Sequence, residues 1–291
     1  MTTETPIKFS VLMSLYAAEQ PEYLRQSLQS LAKQTRPADE IILVYDGAVG
    51  AELEAAATAF QATLPLKIFR LPENAGLGRA LAAGATQCTH EWIFRMDTDD
   101  IAAPDRFAKQ CAHLAAHPDT DVLGGQIAEF DGQPENQIPS RRSVPLSHNE
   151  IARRARTRNP INHMTAAIRT ATLAAAGGYR HAPLYEDYDL WVRMLLNGSR
   201  FANLPDTLVY ARAGAAMYRR RGGWQYARTE AAMQYLFYRR GFLTLPQLAR
   251  NLTLRLPLRL LPSSFRALIY QTLLRNRQPE NPFRPGFVLR R

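Results

Sequence analysis

The stretch Trp92-Ile93-Phe94-Arg95-Met96-Asp97-Thr98-Asp99-Asp100 decides how this chain is read. A short run of apolar and aromatic residues is the pattern of a buried strand, and this one ends in three carboxylates. Open α/β sheets hold their ligands outside the carboxyl ends of the strands. Carboxylates crowded together repel one another and need a compensating cation, most simply a hard divalent metal with oxygen ligands. A second cluster, Glu186-Asp187-Tyr188-Asp189, opens a helix-like stretch. No Walker-type lysine loop accompanies either cluster, so a metal at the strand end points to a nucleotide diphosphate held through that metal. The competing reading is a solvated acidic turn capping a helix that starts near Pro104, and one Asp-x-Asp alone does not decide between the two.

Working outward, strands are predicted at residues 9–15, 40–45, 66–71 and 92–96, and helices at 21–34, 51–60 and 76–88. Leu24, Leu28 and Leu31 recur at helical spacing. Strands alternating with helices imply a parallel, doubly wound sheet. Strands that are apolar along their whole length fit a sheet covered on both faces. The second half is less regular. Residues 131–145 are polar with three prolines and read as a loop. Gly177-Gly178 ends a helix that starts near Thr170. Residues 186–196 read as a helix with Leu190, Met194 and Leu195 facing inward, and 226–238 as another. Further on, Leu245, Leu248, Leu252 and Leu256 form an apolar stripe beside Arg250, Arg255 and Arg259, in a tail that Pro246, Pro257 and Pro262 divide into short helices. The domain boundary is placed after Gly241, giving a first domain of residues 1–241 and a helical, arginine-rich extension of 242–291.

At 291 residues the chain has room for one large α/β domain with an appendage. An apolar fraction of 46% excludes a mainly disordered chain. The net charge of +10 is unevenly placed: from Arg239 onward the only acid is Glu280, against eleven arginines. The only lysines are Lys8, Lys33, Lys67 and Lys109. Arginine's planar fork suits phosphate. The charge also leaves room for a nucleic-acid-binding protein, although no recognition motif appears. Cys88 and Cys111 have no metal-ligand spacing and read as reduced thiols of a cytoplasmic protein. The polar start, Met1-Thr2-Thr3-Glu4-Thr5-Pro6, lacks the apolar core of a signal peptide. No apolar stretch reaches the roughly 18 residues of a membrane span.

Five motifs stand in order: Ser10-Val11-Leu12-Met13-Ser14-Leu15-Tyr16, Glu40-Ile41-Ile42-Leu43-Val44-Tyr45-Asp46-Gly47, Asn74-Ala75-Gly76-Leu77, Arg95-Met96-Asp97-Thr98-Asp99-Asp100 and Glu186-Asp187-Tyr188-Asp189-Leu190-Trp191. Together they resemble the family 2 glycosyltransferases of the GT-A fold, closest to the bacterial branch that builds exopolysaccharide and lipopolysaccharide. The resemblance spans residues 7–240. It implies an α/β, Rossmann-like, mostly parallel sheet flanked by helices, with the helical basic tail outside it.

The resemblance also implies roles. Tyr16 stacks on a base, and Ser14 hydrogen-bonds the base or ribose; relatives often carry Pro and Asn where this chain has Ser14 and Ala17. Asp46 accepts the imide N–H of uracil, and where relatives place two acids this chain has Tyr45 before it. Asn74 and Gly76 shape the loop after the third strand, from which Arg79 reaches a phosphate. Gly76-Leu77-Gly78 is not a dinucleotide fingerprint, because that belongs after the first strand, where Tyr16-Ala17-Ala18-Glu19 stands. Asp97 goes to the nucleotide. Asp99 is a ligand of Mn2+ or Mg2+, and Asp100 is a second ligand or a helix N-terminal acid. Asp187 is the catalytic base and Glu186 orients the site. His163 lines the acceptor or donor-sugar pocket. Arg212 and Arg220, in a basic segment where many relatives have a histidine, fold over the diphosphate or stay solvated.

The implied reaction moves a hexosyl or N-acetylhexosaminyl group, with inversion, from a nucleotide-sugar of the UDP type. The acceptor is a hydroxyl of a cell-surface glycan or a lipid-linked oligosaccharide. The tail is expected to hold the enzyme on the anionic inner face of the cytoplasmic membrane, or to pack as ordinary core. The rival enzyme class, a nucleotidyltransferase that makes the nucleotide-sugar, normally opens with a glycine- and arginine-rich phosphate loop that is missing here.

Overall fold

A computed structural model describes residues 6–132, 140–213 and 223–260. The strands are β1 (Phe9–Leu15), β2 (Glu40–Tyr45), β3 (Leu66–Arg70), β4 (Trp92–Arg95), β5 (Ile101–Ala102), β6 (Val122–Phe130), β7 (Ser140–Arg142), β8 (Ala167–Arg169) and β9 (Phe201–Arg212). The α-helices are α1 (Pro21–Ala32), α2 (Ala51–Thr58), α3 (Leu77–Ala85), α4 (Arg106–Ala116), α5 (His148–Ala155), α6 (Thr170–Ala175), α7 (Glu186–Leu196), α8 (Trp224–Arg239) and α9 (Leu245–Leu260). His163–Thr165 adds a turn of 3-10 helix.

The sheet runs β3-β2-β1-β4-β8-β6-β9-β5, with β7 paired to β6. Its first half is the expected parallel ladder. β1 pairs with β2 and with β4, and β2 with β3. Beyond β4 the sheet becomes mixed, because β8 runs antiparallel to both β4 and β6. The switch follows from the chain path: β8 is entered from the short 3-10 turn rather than by a crossover helix, and only crossovers keep strands parallel. All of β2 and β4 is buried, which explains why they are apolar apart from Glu40 at the start of β2 and Arg95 at the end of β4. On one face of β1 and β4, Phe9 stacks on Phe94 at 4.1 Å between ring centroids, and Phe107 of α4 meets Phe9 edge-on at 4.9 Å. At the amino end of the strands, Glu40 is buried. It accepts hydrogen bonds from Ser10 Oγ (2.5 Å), Lys67 Nζ (2.8 Å) and the Thr89 amide (2.9 Å). Against the burial penalty these donors hold its carboxyl down at about 2. The two cysteines are free, and burial pushes Cys88 up to about 12 and Cys111 to about 11, so neither is a reactive thiolate.

Two expectations are corrected. Residues 131–145 are not loop throughout, because Ser140–Arg142 forms β7 against β6. The tail's prolines do not cut it up before Leu260: α9 is one helix with Pro246 in its first turn, where no intrahelical amide is needed, and Pro257 inside it. Pro262 lies outside the described residues.

The chain divides into two compact units: residues 1–125 with 144–209, and residues 126–143 with 210–291. In the second, α8 and α9 pair around Glu230, which is fully buried and accepts from Arg259 Nε at 2.6 Å and from Arg255. Asn251 donates to Gln234 at 2.8 Å beside it. Removing one partner of a buried ion pair leaves an uncompensated charge and costs roughly 3–5 kcal/mol. Glu230→Ala is therefore expected to lower the unfolding free energy by that order, measured by urea titration, whereas Arg250→Ala, at an exposed position, leaves it unchanged.

Candidate active site

The first unit brings the carboxyl ends of β1, β2 and β4 to one edge. Ser14 is half-buried in β1, and Tyr16 follows it with its ring exposed. Asp46, at the end of β2, is buried. Its Oδ1 accepts the Ala75 amide at 2.7 Å and its Oδ2 the Gly76 amide at 3.1 Å. Asn74 Nδ2 returns a bond of 3.3 Å to the Asp46 carbonyl. Gly76 has φ +84°, a conformation only glycine adopts cheaply, and it opens α3. Arg79 is exposed on the first turn of α3. Asp46, Asn74 and Gly76, read separately in the sequence, are one hydrogen-bonded unit that ties the loop after β3 to the end of β2.

The acidic loop sits on two buried arginines. Arg95 ends β4 with 1% of its surface exposed. It donates from Nη2 to Asp97 Oδ1 at 2.5 Å, and from Nη1 to the carbonyls of Leu12 (3.2 Å) and Met96. Arg106 lies beneath, donating to the Arg95 carbonyl (2.7 Å) and to Gln110 (3.0 Å). Burial and the like charge of Arg95 push its guanidinium down to about 9, against the pull of Asp100 and Asp97. One carboxylate oxygen from each of Asp97, Asp99 and Asp100 lies within 4.8 Å of the others. This all-oxygen donor set, partly open and grouped at a strand end, fits a hard divalent cation such as Mn2+ or Mg2+.

The second cluster opens α7. Gly78 lets α3 approach it: a Cβ there would stand 2.2 Å from the Arg180 carbonyl and 2.9 Å from Glu186 Cγ. Leu184, just before the helix, has φ +71°, a strained value for leucine. Glu186 is half-buried, and burial, with the neighbouring Asp187 charge, lifts its carboxyl to about 7. Asp187 accepts Asn159 Nδ2 on Oδ2 at 2.5 Å and the Tyr188 amide on Oδ1 at 2.7 Å. Asp189 is structural: buried, it accepts Arg193 Nε at 2.9 Å, and Arg193 also holds the carbonyls of Ala176 and Gly178. His163 Nε2 lies 3.0 Å from the Tyr179 hydroxyl. Burial and the Arg95 charge hold the imidazole well below its usual value, so the ring is neutral at pH 7. Tyr179 is buried, and burial pushes its phenol well up from its ordinary value, with smaller contributions from Arg95, Asp187 and Asp97.

The predicted residues Ser14, Tyr16, Asp46, Asn74, Gly76, Arg79, Asp97, Asp99 and Asp100 thus gather along one sheet edge, His163 meets Tyr179, and Glu186 and Asp187 open α7. Arg212 belongs to the second unit, where its guanidinium covers the Phe130 ring at 4.6 Å and donates to the Gly132 carbonyl. Arg220 lies outside the described residues. Sequence reasoning missed Arg95, Arg106, Asn159 and Tyr179. Only Arg95 carried a signal, as a lone charge in an apolar strand.

The profile of "Glycosyl transferase family 2" matches residues 10–226. The chain belongs to that family. It is 48% identical, over 92% of its length and 100% of the relative's, to an uncharacterized glycosyltransferase of Haemophilus influenzae. It is 44% identical to the amylovoran biosynthesis glycosyltransferase AmsE of Erwinia amylovora, over 87% of this chain and 96% of that one. With the UDP-Gal:alpha-D-GlcNAc-diphosphoundecaprenol beta-1,3-galactosyltransferase of Escherichia coli it shares 37% over 94% and 99%. The fold is that of the mannosyltransferase PcManGT from Pyrobaculum calidifontis, solved with GDP-Man and Mn2+ (TM-score 0.63, 17% identity, 93% of this chain and 78% of that one). It is also that of S. aureus TarS 1-349 solved with UDP-GlcNAc (TM-score 0.61, 23% identity, 79% and 66%). The chain is a glycosyltransferase that uses nucleotide-sugars. The nucleotidyltransferase and nucleic-acid-binding readings are set aside.

The raised Glu186 carboxyl has a consequence for stability. In the unfolded chain it titrates near 4.5, whereas the native state keeps the proton until about 7. Between these values the native state binds more protons, so this group's stabilisation is complete below 4.5 and is lost as pH rises through about 7. Urea midpoints across this range should fall more steeply in wild type than in Glu186→Gln; equal slopes would show that Glu186 is not perturbed.

Proposed function

We propose that this glycosyltransferase transfers a hexosyl or N-acetylhexosaminyl group, with inversion and dependence on a divalent metal, from a UDP-sugar to a hydroxyl of a lipid-linked, cell-surface glycan precursor. The observation that carries the reading is the all-oxygen cluster of Asp97, Asp99 and Asp100 after β4, in the same unit as an Asp187 carboxylate held by two donors. One suits the donor's diphosphate and the other the acceptor. The E. coli relative, named for UDP-Gal and a GlcNAc-diphospholipid, supports both halves. AmsE supports a role in building an exopolysaccharide.

In this reading Tyr16 and Ser14 receive the base, Asp97 the ribose, and Arg79 a phosphate. Asp99 and Asp100 would hold the metal, which when bound would supply counter-charge and Lewis acidity to the diphosphate. Asp46 uses its remaining lone pairs for the uracil imide while its loop bonds keep it rigid. Asp187 takes the proton of the acceptor hydroxyl as its oxygen attacks the anomeric carbon. Attack from the face opposite the diphosphate gives inversion. Neutral His163, fixed by Tyr179, lines the sugar pocket, and Glu186 orients the acceptor. The enzyme works on the inner face of the cytoplasmic membrane, where its arginine-rich tail meets anionic lipid at about 1 kcal/mol per basic residue. No helix among the described residues is long and apolar enough to cross a membrane.

Asp99→Ala should abolish transfer and remove the part of donor binding that needs Mn2+, read as the loss of a Mn2+-dependent thermal shift with UDP-sugars; unchanged activity in chelator would sink the metal assignment. Asp187→Asn should keep that thermal shift but lose about 10²–10⁴-fold in turnover, the usual contribution of a general base. For the tail, the full chain should co-sediment with anionic vesicles at low salt and a version ending at Gly241 should not. Equal pelleting of the two would place membrane binding elsewhere.

A further inference from the structure

Asp187 does not stand alone at the head of α7. The segment that faces it, Asn159-Pro160-Ile161-Asn162, is held from two sides. Buried Asn162 donates Nδ2 to the Gly125 carbonyl at 2.9 Å, and Asn203 donates Nδ2 to the carbonyls of Pro145 (2.6 Å) and Pro160 (3.3 Å). Asn159 is therefore carried on a fixed piece of backbone. Its own amide is oriented as well. Oδ1 accepts the Ile161 amide at 3.3 Å, which turns the NH2 group, and not the carbonyl, toward Asp187 Oδ2 at 2.5 Å. With Oδ1 of Asp187 bound to the Tyr188 amide, both carboxylate oxygens are aimed by donors from different elements. A carboxylate oxygen accepts more than one hydrogen bond, so these two donors do not by themselves exclude an incoming hydroxyl.

We infer that Asn159 is the positioning residue of the proton acceptor, fixing the Asp187 carboxylate in plane and keeping it ionised, so that an acceptor hydroxyl meets a lone pair rather than a rotating group. The inference rests on the reading of Asp187 as the base. In the step it serves, the hydroxyl proton passes to an Asp187 oxygen and the acceptor oxygen bonds to the anomeric carbon. The bond from that carbon to the diphosphate oxygen breaks, and its electron pair leaves with the nucleoside diphosphate. A neutral amide suits this place. A donor stabilises the carboxylate form, whereas a second carboxylate at the same distance would trap the proton between the two. The other ionisable groups near Asp187 are Glu186, beside it on α7, and the Tyr179 phenol. Neither occupies the position opposite Oδ2 that Asn159 fills.

The test compares wild type, Asn159→Ala, Asn159→Asp and Asp187→Asn as full-length chains, with UDP-galactose and a synthetic α-GlcNAc-diphospholipid as probes. The Asp187 carboxyl is followed independently of turnover by 13C NMR titration of aspartate-labelled protein, with Asp187→Asn as the assignment control. Losing a hydrogen bond to a charged group is expected to lower kcat about 10- to 100-fold, with KM for UDP-galactose within two-fold. The Asp187 titration should move up by about one pH unit in Asn159→Ala and further in Asn159→Asp. A role confined to holding the loop would lower the melting temperature and leave the titration in place. If Asn159→Ala does not fold, Asn159→Leu, close in shape but without a donor, is read the same way. An Asp187 titration that does not move in these variants overturns the inference. Turnover retained by Asp187→Asn overturns the base assignment instead, and the NMR titration then still decides whether Asn159 controls Asp187.

Discussion

Arg95 carries a full charge into the interior of the sheet, where an isolated ion costs several kcal/mol. The carboxyl edge is built around the need to offset it. Its guanidinium takes Asp97 and two backbone carbonyls, and its own carbonyl is held by Arg106. The benefit runs in the other direction too. Three aspartates within 4.8 Å would repel one another if left uncompensated. Two buried guanidiniums below them balance most of that charge before any cation arrives. The Arg95 charge also contributes, after burial, to holding the His163 imidazole below its ordinary value.

Adjacent carboxylates on α7 meet different surroundings. Glu186 is pressed against the start of α3 where Gly78 leaves no side chain, and it loses water without gaining a cation. Asp187, one residue on, collects two donors. Neighbouring acids whose environments differ in this way are the usual means of giving two carboxyls two roles at one pH. One holds a proton near neutrality and the other is set up as a carboxylate.

Much of this was legible in the sequence. β1, β2 and β4 were readable because strands buried on both faces are apolar along most of their length, and β3 because Leu66, Ile68 and Phe69 mark it. The acidic loop was readable because carboxylates directly after such a strand mark the point where the sheet's edge opens to a ligand. The mixed half was harder. β6 contains Gly124-Gly125 and Gln126, and β9 contains Pro205 and Asp206, so neither has a clean strand pattern. The partners of the carboxylates were not legible at all. Asn159 and Tyr179 lie 28 and 8 residues from Asp187 and carry no motif of their own. Asp46 matched a nucleotide-binding position, but its grip on the Ala75 and Gly76 amides is a three-dimensional fact.

The tail shows how polar residues override an apolar pattern. The sequence stripe Leu245, Leu248, Leu252, Leu256 and the buried seam Leu248, Asn251, Arg255, Arg259 have the same helical spacing but are offset by three residues. That offset turns the helix by about 60° at 3.6 residues per turn. Glu230 sets the choice, since its buried charge needs Arg255 and Arg259, and placing the leucines inward would strand it. Pro257 is tolerated because it and Thr253, whose carbonyl loses its partner, are both on the exposed side. The rotation leaves Leu245, Leu254 and Leu260 in solvent. Packing of α9 on α8 and contact of its outer side with a lipid surface are thus compatible. The first uses the polar seam, and the second would use the leucines that the seam turned away.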